Sequence, residues 1–286
     1  MLEDIIHPKR TKKGPWKMFF IGLIYASLSL ILVHWFFSQD PDLSKASGMM
    51  VVLFLIMFSL PYMYFIIKKE EKEDETVEGF KGVWNAHKDA LYAFMWLFLG
   101  FVIAFSFWYI VLQDGNLLNF QLQTYCRINN PGDINACVEQ YVMGGSDKVS
   151  GAVLKETRLL SIIENNVYVM LFTLIFSLIF GAGAIFILIW NASVIAAAIG
   201  VFTKYSLQEI PLGVARYMIH GLPEIGAYFV AALAGGIFGV GILRHGIKDE
   251  RFYKVLQHSI MLLFIAIILI LIGGIIEVYF TPMLFN

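Results

Sequence analysis

The sequence predicts an all-α fold, a polytopic transmembrane helix bundle of six or seven crossings with broken or short helices in its C-terminal half. Hydrophobic residues make up 58% of the 286 residues, charged residues only 15%, and the mean hydropathy is +0.71. Apolar runs of bilayer length recur along the chain. One soluble core cannot bury this much apolar surface, so we expect a multi-pass protein of the cell membrane.

A charged loop follows the first two spans. Basic residues precede an apolar run from Met18 to about Phe37, which has the length of a membrane anchor and no small-residue cleavage site after it. The positive-inside rule puts this N-terminus in the cytoplasm. A second run, Ser47 to Ile67, returns there and ends at the mixed-charge run Lys68 to Glu78.

The longest polar segment is predicted to lie outside. A third span, from about Ala90 to Leu112, leads into it, and the segment covers residues 114–166. It contains both cysteines, Cys126 and Cys137, with the turn-forming run Asn-Asn-Pro-Gly between them. An oxidising exterior lets the two cysteines pair in a disulfide, and a reducing compartment leaves them as free thiols.

The end of this segment has a loosely helical pattern. From Val153 onward, apolar residues alternate with charged ones. The pattern predicts an interfacial helix that leads into the membrane at Asn165 and Asn166. An asparagine there can cap the next helix by accepting from its free backbone N–H groups.

The apolar run Val167 to Thr203 is too long for one ordinary span. It fits two short spans that turn near Gly181 to Gly183, or one span followed by a re-entrant half-helix, Ala192 to Phe202. The basic segment Arg244 to Lys254 prefers the cytoplasm and reaches it only if the chain crosses once more before Tyr205. We therefore favour seven crossings and an external C-terminus, with six crossings as the alternative.

The last two spans contain helix-breaking residues. Pro211 suits the first turn of a helix, where its missing N–H costs nothing. This helix is expected to run to His220, break at Gly221 and Pro223, and continue as a span from Glu224. The final span, Leu256 to Phe280, is expected to be interrupted at its Gly-Gly pair and carries a glutamate, Glu277, near its outer end.

Small residues repeat at a spacing of four in the span that follows Glu224. They are Ala231, Gly235 and Gly239. Such a face lets two membrane helices approach closely and gain dispersion contacts. We interpret it as a packing surface, within one subunit or across a dimer.

Three polar residues in apolar surroundings are candidates for a membrane site: Asn191, His220 and Glu224. An unpaired polar group in such a place usually faces a partner or a water-filled cavity. If helix continues through the expected break, His220 and Glu224 share a side and can hold a proton or a cation. Otherwise Glu224 only favours a helix start. Asn191 either breaks its helix or belongs to a polar site.

Catalytic and metal-binding patterns are missing from the sequence. It contains no HExxH, GxSxG or P-loop motif, no CxxC pair and no Cys/His metal signature. No basic patch with interleaved aromatic residues points to nucleic acid. We therefore expect no catalytic residues, no cofactor and no metal, and partners limited to lipid, further copies of the chain or other membrane proteins.

Short motifs in the C-terminal two thirds resemble the stage II sporulation protein M family of polytopic membrane proteins. They are Glu164 to Asn166, Asn191 with small residues up to Gly200, and His220 to Glu224 before an Ala/Gly-rich span. The resemblance begins at about Ala90, and it implies that residues 1–88 are a two-span addition to a membrane domain of residues 89–286. The family commonly has glycine after the asparagine, where this chain has Ala192. The resemblance implies a membrane protein that works beside partner proteins and carries no hydrolase residues.

Of two candidate functions, the sequence favours the first. The first is a non-enzymatic membrane protein that acts through assembly or partner recruitment, which the small-residue face favours. The second is a small transporter or channel with a polar site between broken helices.

Overall fold

Long apolar runs form helices in this protein because a bilayer offers their backbone no hydrogen-bond partners. The computed structural model describes residues 15–74, 79–129, 134–142, 155–180, 184–245 and 250–285. Within these ranges the chain is helical and contains no strand. The helices are α1 (Lys17–Phe37), α2 (Ser47–Asp74), α3 (Gly79–Leu112), α4 (Asn119–Asn129), α5 (Ile134–Val142), α6 (Lys155–Phe180), α7 (Ile185–Phe202), α8 (Ile210–His245), α9 (Glu250–Ile275) and α10 (Thr281–Leu284). A π-helical turn, Ile276–Phe280, joins α9 to α10.

Seven helical stretches of the described chain are long and apolar enough to cross a membrane. They are Lys17–Phe37, Ser44–Glu70, Lys81–Leu112, Arg158–Ile179, Ile185–Phe202, Leu207–Leu243 and Arg251–Leu284. The prediction of an all-α bundle with seven spans is confirmed. The expected turn near Gly181 to Gly183 lies outside the described residues, and separate helices end at Phe180 and begin at Ile185 on either side of it.

The helical hairpin α4–α5 marks one face of the bundle, which we call the hairpin face. A disulfide between Cys126 and Cys137 joins its two helices. The Gln121 side chain donates a hydrogen bond of 2.8 Å to the carbonyl of Gly48, near the start of α2. Val201, near the end of α7, packs in the same small apolar cluster as the two cysteines. The start of α2 and the end of α7 therefore lie on the hairpin face.

Helix α8 is the centre of the bundle. It is the most buried of the seven candidate spans and contacts α2, α3, α6, α7 and α9. On the other side of α3, helix α1 crosses at Gly22 and Gly100, where a Cβ on Gly22 would lie 3.1 Å from the Gly100 Cα. The two N-terminal spans therefore pack directly on the remaining helices. The division of the chain at residue 88 stays a prediction.

The expected breaks in the C-terminal half are largely absent. A break at Gly221 and Pro223 was wrong, because α8 is one helix from Ile210 to His245 with Pro223 inside it. Proline removes one backbone N–H, but a transmembrane helix tolerates this where neighbouring helices enclose it. The last span continues through its glycine pair and changes to the π-helical turn only after Ile275.

The separate interfacial helix before Asn165 was also wrong. Helix α6 begins at Lys155 and passes through Asn165 and Asn166 without interruption. Asn166 does not cap a helix, because its side-chain oxygen accepts a hydrogen bond from the Tyr228 hydroxyl of α8. Because its side chain has a hydrogen-bond partner on another helix, Asn166 does not have to lie at a helix end.

The small-residue face of α8, Ala231, Gly235 and Gly239, packs against α6. A Cβ on Gly235 would lie 2.5 Å from the backbone oxygen of Leu174, and a Cβ on Gly239 would meet that of Leu178. Ala231 is fully buried. Glycine is therefore required at both positions for the backbones of α6 and α8 to come this close.

Alanine at Gly235 or Gly239 should destabilise the protein. The added methyl group meets backbone, which cannot move aside as a side chain can, and overpacking of this kind costs about 1–3 kcal/mol. Gly226→Ala in the same helix is the matched control, since its Cβ would make only an ordinary contact, 3.7 Å from Leu269. We expect a lower Tm in detergent for G235A and G239A than for G226A. Equal values for all three would contradict the close contact.

The loop between α8 and α9 should be cytoplasmic. Spans alternate in direction, so the end of α8 and the start of α9 lie opposite the hairpin face, and the basic charge of this segment favours the cytoplasm. A cysteine at Arg251 should resist an impermeant maleimide in intact cells, whereas one at the exposed Gln208, before α8, should react. The wild-type chain is the blank, since its disulfide does not react. Labelling at residue 251 but not at 208 would invert the orientation.

Candidate functional site

A polar cavity lies between α6, α7, α8 and the π-helical turn. Its volume is about 680 Å³. Asn191, His220 and Glu224, the three polar residues that the sequence singles out, all line it. Two residues of α4, Tyr125 and Arg127, also line it, so the cavity lies toward the hairpin face.

Helix α8 presents a polar face to this cavity, formed by Arg216, His220, Glu224 and Tyr228. Consecutive members are four residues apart, which places them on the same side of a helix at intervals of about 6 Å. The sequence singles out only the two central members, His220 and Glu224. Helical spacing in the sequence also includes Arg216 and Tyr228. A helix that breaks at Pro223, as predicted, would not place all four residues on one side.

Helices α6 and α7 supply the opposite walls. From α6 come Arg158, Asn165 and Asn166, which recur at one side of the helix. From α7 comes Asn191, whose side-chain amide donates a hydrogen bond of 2.7 Å to the carbonyl of Ile187. That bond lies within an unbroken helix, so Asn191 does not break α7.

Glu224 lies deep in the cavity without a full set of partners. Its Oε1 atom is buried and has no hydrogen-bond donor. The Asn166 amide lies near enough to hydrogen-bond with the carboxyl group. Gly273 of α9 leaves the room that this side chain occupies, because a Cβ there would lie 2.5 Å from the Glu224 Cγ. The glycine that was expected to interrupt the last span thus accommodates Glu224 instead.

His220 is tied to the π-helical turn through Thr281. The Thr281 hydroxyl donates to the carbonyl of Ile276 at 3.2 Å, and its oxygen lies 3.2 Å from Nδ1 of His220. Because the hydroxyl proton is already used, the network assigns the donor role to Nδ1–H of the histidine. In the neutral imidazole this leaves Nε2 as a hydrogen-bond acceptor.

The charged groups of the cavity are incompletely paired. Arg158 lies 3.8 Å from Glu277, a residue of the π-helical turn. Arg216 donates to the carbonyl of Phe285 at 3.0 Å and stacks 4.6 Å above the ring of Phe202. Both partners of Arg216 are neutral. Among the described residues, three arginines and two glutamates line the cavity, so it can attract groups of either charge.

Metal coordination has no support in the described part of the chain. Within those residues, no group of three or more histidine, cysteine, aspartate or glutamate side chains is placed to hold a metal ion. The arrangement instead offers fixed charges, amides and hydroxyl groups around an open volume. Such a surface binds a solute through hydrogen bonds and ion pairs.

Comparison with known proteins gives one finding. A family model described as stage II sporulation protein M matches residues 50–282. The match includes most of the second span and therefore begins upstream of Ala90, where the sequence motifs first pointed to the family. Neither the curated proteins nor the solved structures gave a match.

The cavity should be accessible to water from the hairpin face. A cysteine at Ala198, which lines the cavity, should therefore react with a small charged methanethiosulfonate reagent. Ala196→Cys, in the same helix but in the hydrophobic core, is the matched control and should not react. Reaction rates at the two positions, measured by mass spectrometry, test whether water reaches the cavity. Equal rates at the two positions would contradict a water-filled cavity.

Proposed function

The chain belongs to the stage II sporulation protein M (SpoIIM) family of membrane proteins, and from this premise we propose that it binds a small polar solute in the cavity and moves it across the membrane. One observation carries the proposal: three polar residues from two apolar helices, Asn191 of α7 with His220 and Glu224 of α8, line a single cavity. A polar residue inside a membrane segment is costly and commonly marks a solute or ion path.

Irregular helix geometry beside the cavity supports the proposal. Pro223 lies directly before Glu224, and Glu277 lies in the π-helical turn Ile276–Phe280. Proline in a helix frees a backbone carbonyl, and π-helical turns occur frequently at functional sites. Membrane transporters bind solutes at such irregular helical segments.

The orientation of the chain is part of the proposal. Basic residues before α1 favour a cytoplasmic N-terminus, and seven spans then put the C-terminus outside. The hairpin face is external in this arrangement. The solute therefore enters the cavity from outside, next to α4.

Assembly with partner proteins is the second candidate. The observation in its favour is the disulfide-linked hairpin α4–α5, a compact element outside the spans that can contact another protein. The small-residue face of α8 supports it less than the sequence indicated, because that face packs against α6 of the same chain. Lipid and further copies of the chain remain proposed partners. Both candidates are non-enzymatic, in agreement with the missing catalytic motifs.

Removing the charge of Glu224 should abolish transport without disturbing assembly. Glu224→Gln keeps the shape of the side chain and one acceptor, but removes the charge that interacts with a passing solute. Glu209→Gln is the matched control, since Glu209 is exposed just before α8 and does not line the cavity.

The measurement is osmotic re-swelling of proteoliposomes in ethylammonium chloride, sodium acetate or glycine. We expect wild type and E209Q to admit at least one of these solutes and E224Q to admit none, with identical size-exclusion profiles. Wild-type vesicles as tight as empty ones to all three solutes would overturn transport.

A further inference from the structure

Arg216 and Glu224 both line the cavity, and within the described residues neither has an oppositely charged partner. The guanidinium group of Arg216 contacts the Phe285 carbonyl and the Phe202 ring. The Oε1 atom of Glu224 is buried without a hydrogen-bond donor. A charge removed from water is costly unless it is paired and hydrogen-bonded. Arg216 and the Glu224 carboxyl group therefore still require a counterpart, whereas Arg127, the third arginine of the lining, is exposed.

Arg216 and Glu224 do not neutralise each other. They lie eight residues apart on the same face of α8, which separates their Cα atoms by about 12 Å along the helix axis. His220 lies between them, held by Thr281. The nearby ion pair of Arg158 with Glu277, at 3.8 Å, joins a different arginine and glutamate and leaves this pair uncompensated.

A ligand of single charge leaves one of the two groups unpaired. A cation alone satisfies Glu224 and adds repulsion with Arg216, while an anion alone does the reverse. A ligand with an ammonium group at one end and an anionic group at the other satisfies both. Complementary charge at two points also rejects ligands that carry only one of the charges.

Resting on the proposed function, we propose that the cavity binds a small zwitterion, with its ammonium group at Glu224 and its carboxylate or phosphate group at Arg216. The planar guanidinium group suits a carboxylate or phosphate, because it donates two parallel hydrogen bonds. An ammonium group donates three hydrogen bonds. On the same face, His220 and Tyr228 lie one turn before and one turn after Glu224 and offer neutral acceptors, since the Tyr228 proton goes to Asn166.

The volume of the cavity agrees with a small organic ligand. Its 680 Å³ falls within the range of roughly 300–1,000 Å³ that is usual for small-molecule sites. A single dehydrated inorganic ion needs far less space. The same chemistry occurs in a free amino acid and in a phospholipid headgroup that carries a primary amine, and the experiment distinguishes these two sources.

The first test compares charge-matched ligands on the wild-type protein in dodecyl maltoside. The probes are ω-amino acids from glycine to 6-aminohexanoate, each beside an equimolar mixture of the alkylamine and the carboxylate of matching chain length. We expect at least one zwitterion to raise the Tm, and its separated halves to leave the Tm unchanged. A mixture of halves that stabilises as well as the zwitterion overturns the inference but leaves solute binding intact.

A comparison of two lipids shows whether the zwitterion is a lipid headgroup or a free solute. The Tm is compared in nanodiscs of phosphatidylethanolamine and of phosphatidylglycerol with matched acyl chains. Stabilisation by phosphatidylethanolamine without an effect of free ω-amino acids assigns the site to a headgroup, and stabilisation by a free zwitterion assigns it to a solute. Absence of both effects overturns the zwitterion site, while proteoliposome re-swelling judges transport separately.

Variants then locate the two ends. Glu224→Gln and Arg216→Gln should each weaken zwitterion binding roughly ten- to hundred-fold, since each removes one charged hydrogen-bond partner. Glu209→Gln and Lys204→Gln, at exposed positions outside the cavity lining, are the matched controls. Arg216→Lys keeps the charge and replaces R216Q as the test variant if R216Q does not fold. Unchanged zwitterion affinity in both E224Q and the Arg216 variant overturns the assignment.

Discussion

The close contact between α6 and α8 determines where this protein is tightly packed and where it is open. The two helices run in the same direction, since Asn166 meets Tyr228 and, further along, Leu174 meets Gly235. Gly235 and Gly239 continue the same side of α8 that carries the polar face. Where that side has no side chains, the backbones touch. Where it has arginine, histidine and glutamate, the helices leave room for the cavity.

A bilayer makes this arrangement necessary. Polar side chains within a span must find their partners inside the protein, because lipid offers none. Asn166 and Tyr228 satisfy each other, and His220 reaches Thr281 in the π-helical turn. Glu224 and Arg216 remain partly unsatisfied, and they are the residues on which the proposed solute site depends. Because α8 is central, α4, α6, α7 and the π-helical turn all border its polar face.

Family membership and cavity geometry address different questions. Membership in the SpoIIM family accounts for a bundle of apolar helices in a membrane and identifies no substrate. The cavity limits the chemistry of a ligand by its charges and volume. Its position beside the α4–α5 hairpin also means that a partner protein bound to the hairpin would lie at the mouth of the cavity, so partner recruitment and solute binding can influence each other.

From the sequence alone one could predict the membrane helix bundle, a preference for seven spans over six, and three candidate site residues. These follow from apolar length, loop charge and the cost of an isolated polar group, all of which are local properties of the chain. Only the tertiary structure decided that α8 is unbroken, that Gly273 accommodates Glu224, and that Arg158, Asn166 and Glu277 join the site. The physical reason is that these features depend on contacts between helices far apart in sequence: a proline is tolerated, or a glycine required, according to what packs against it.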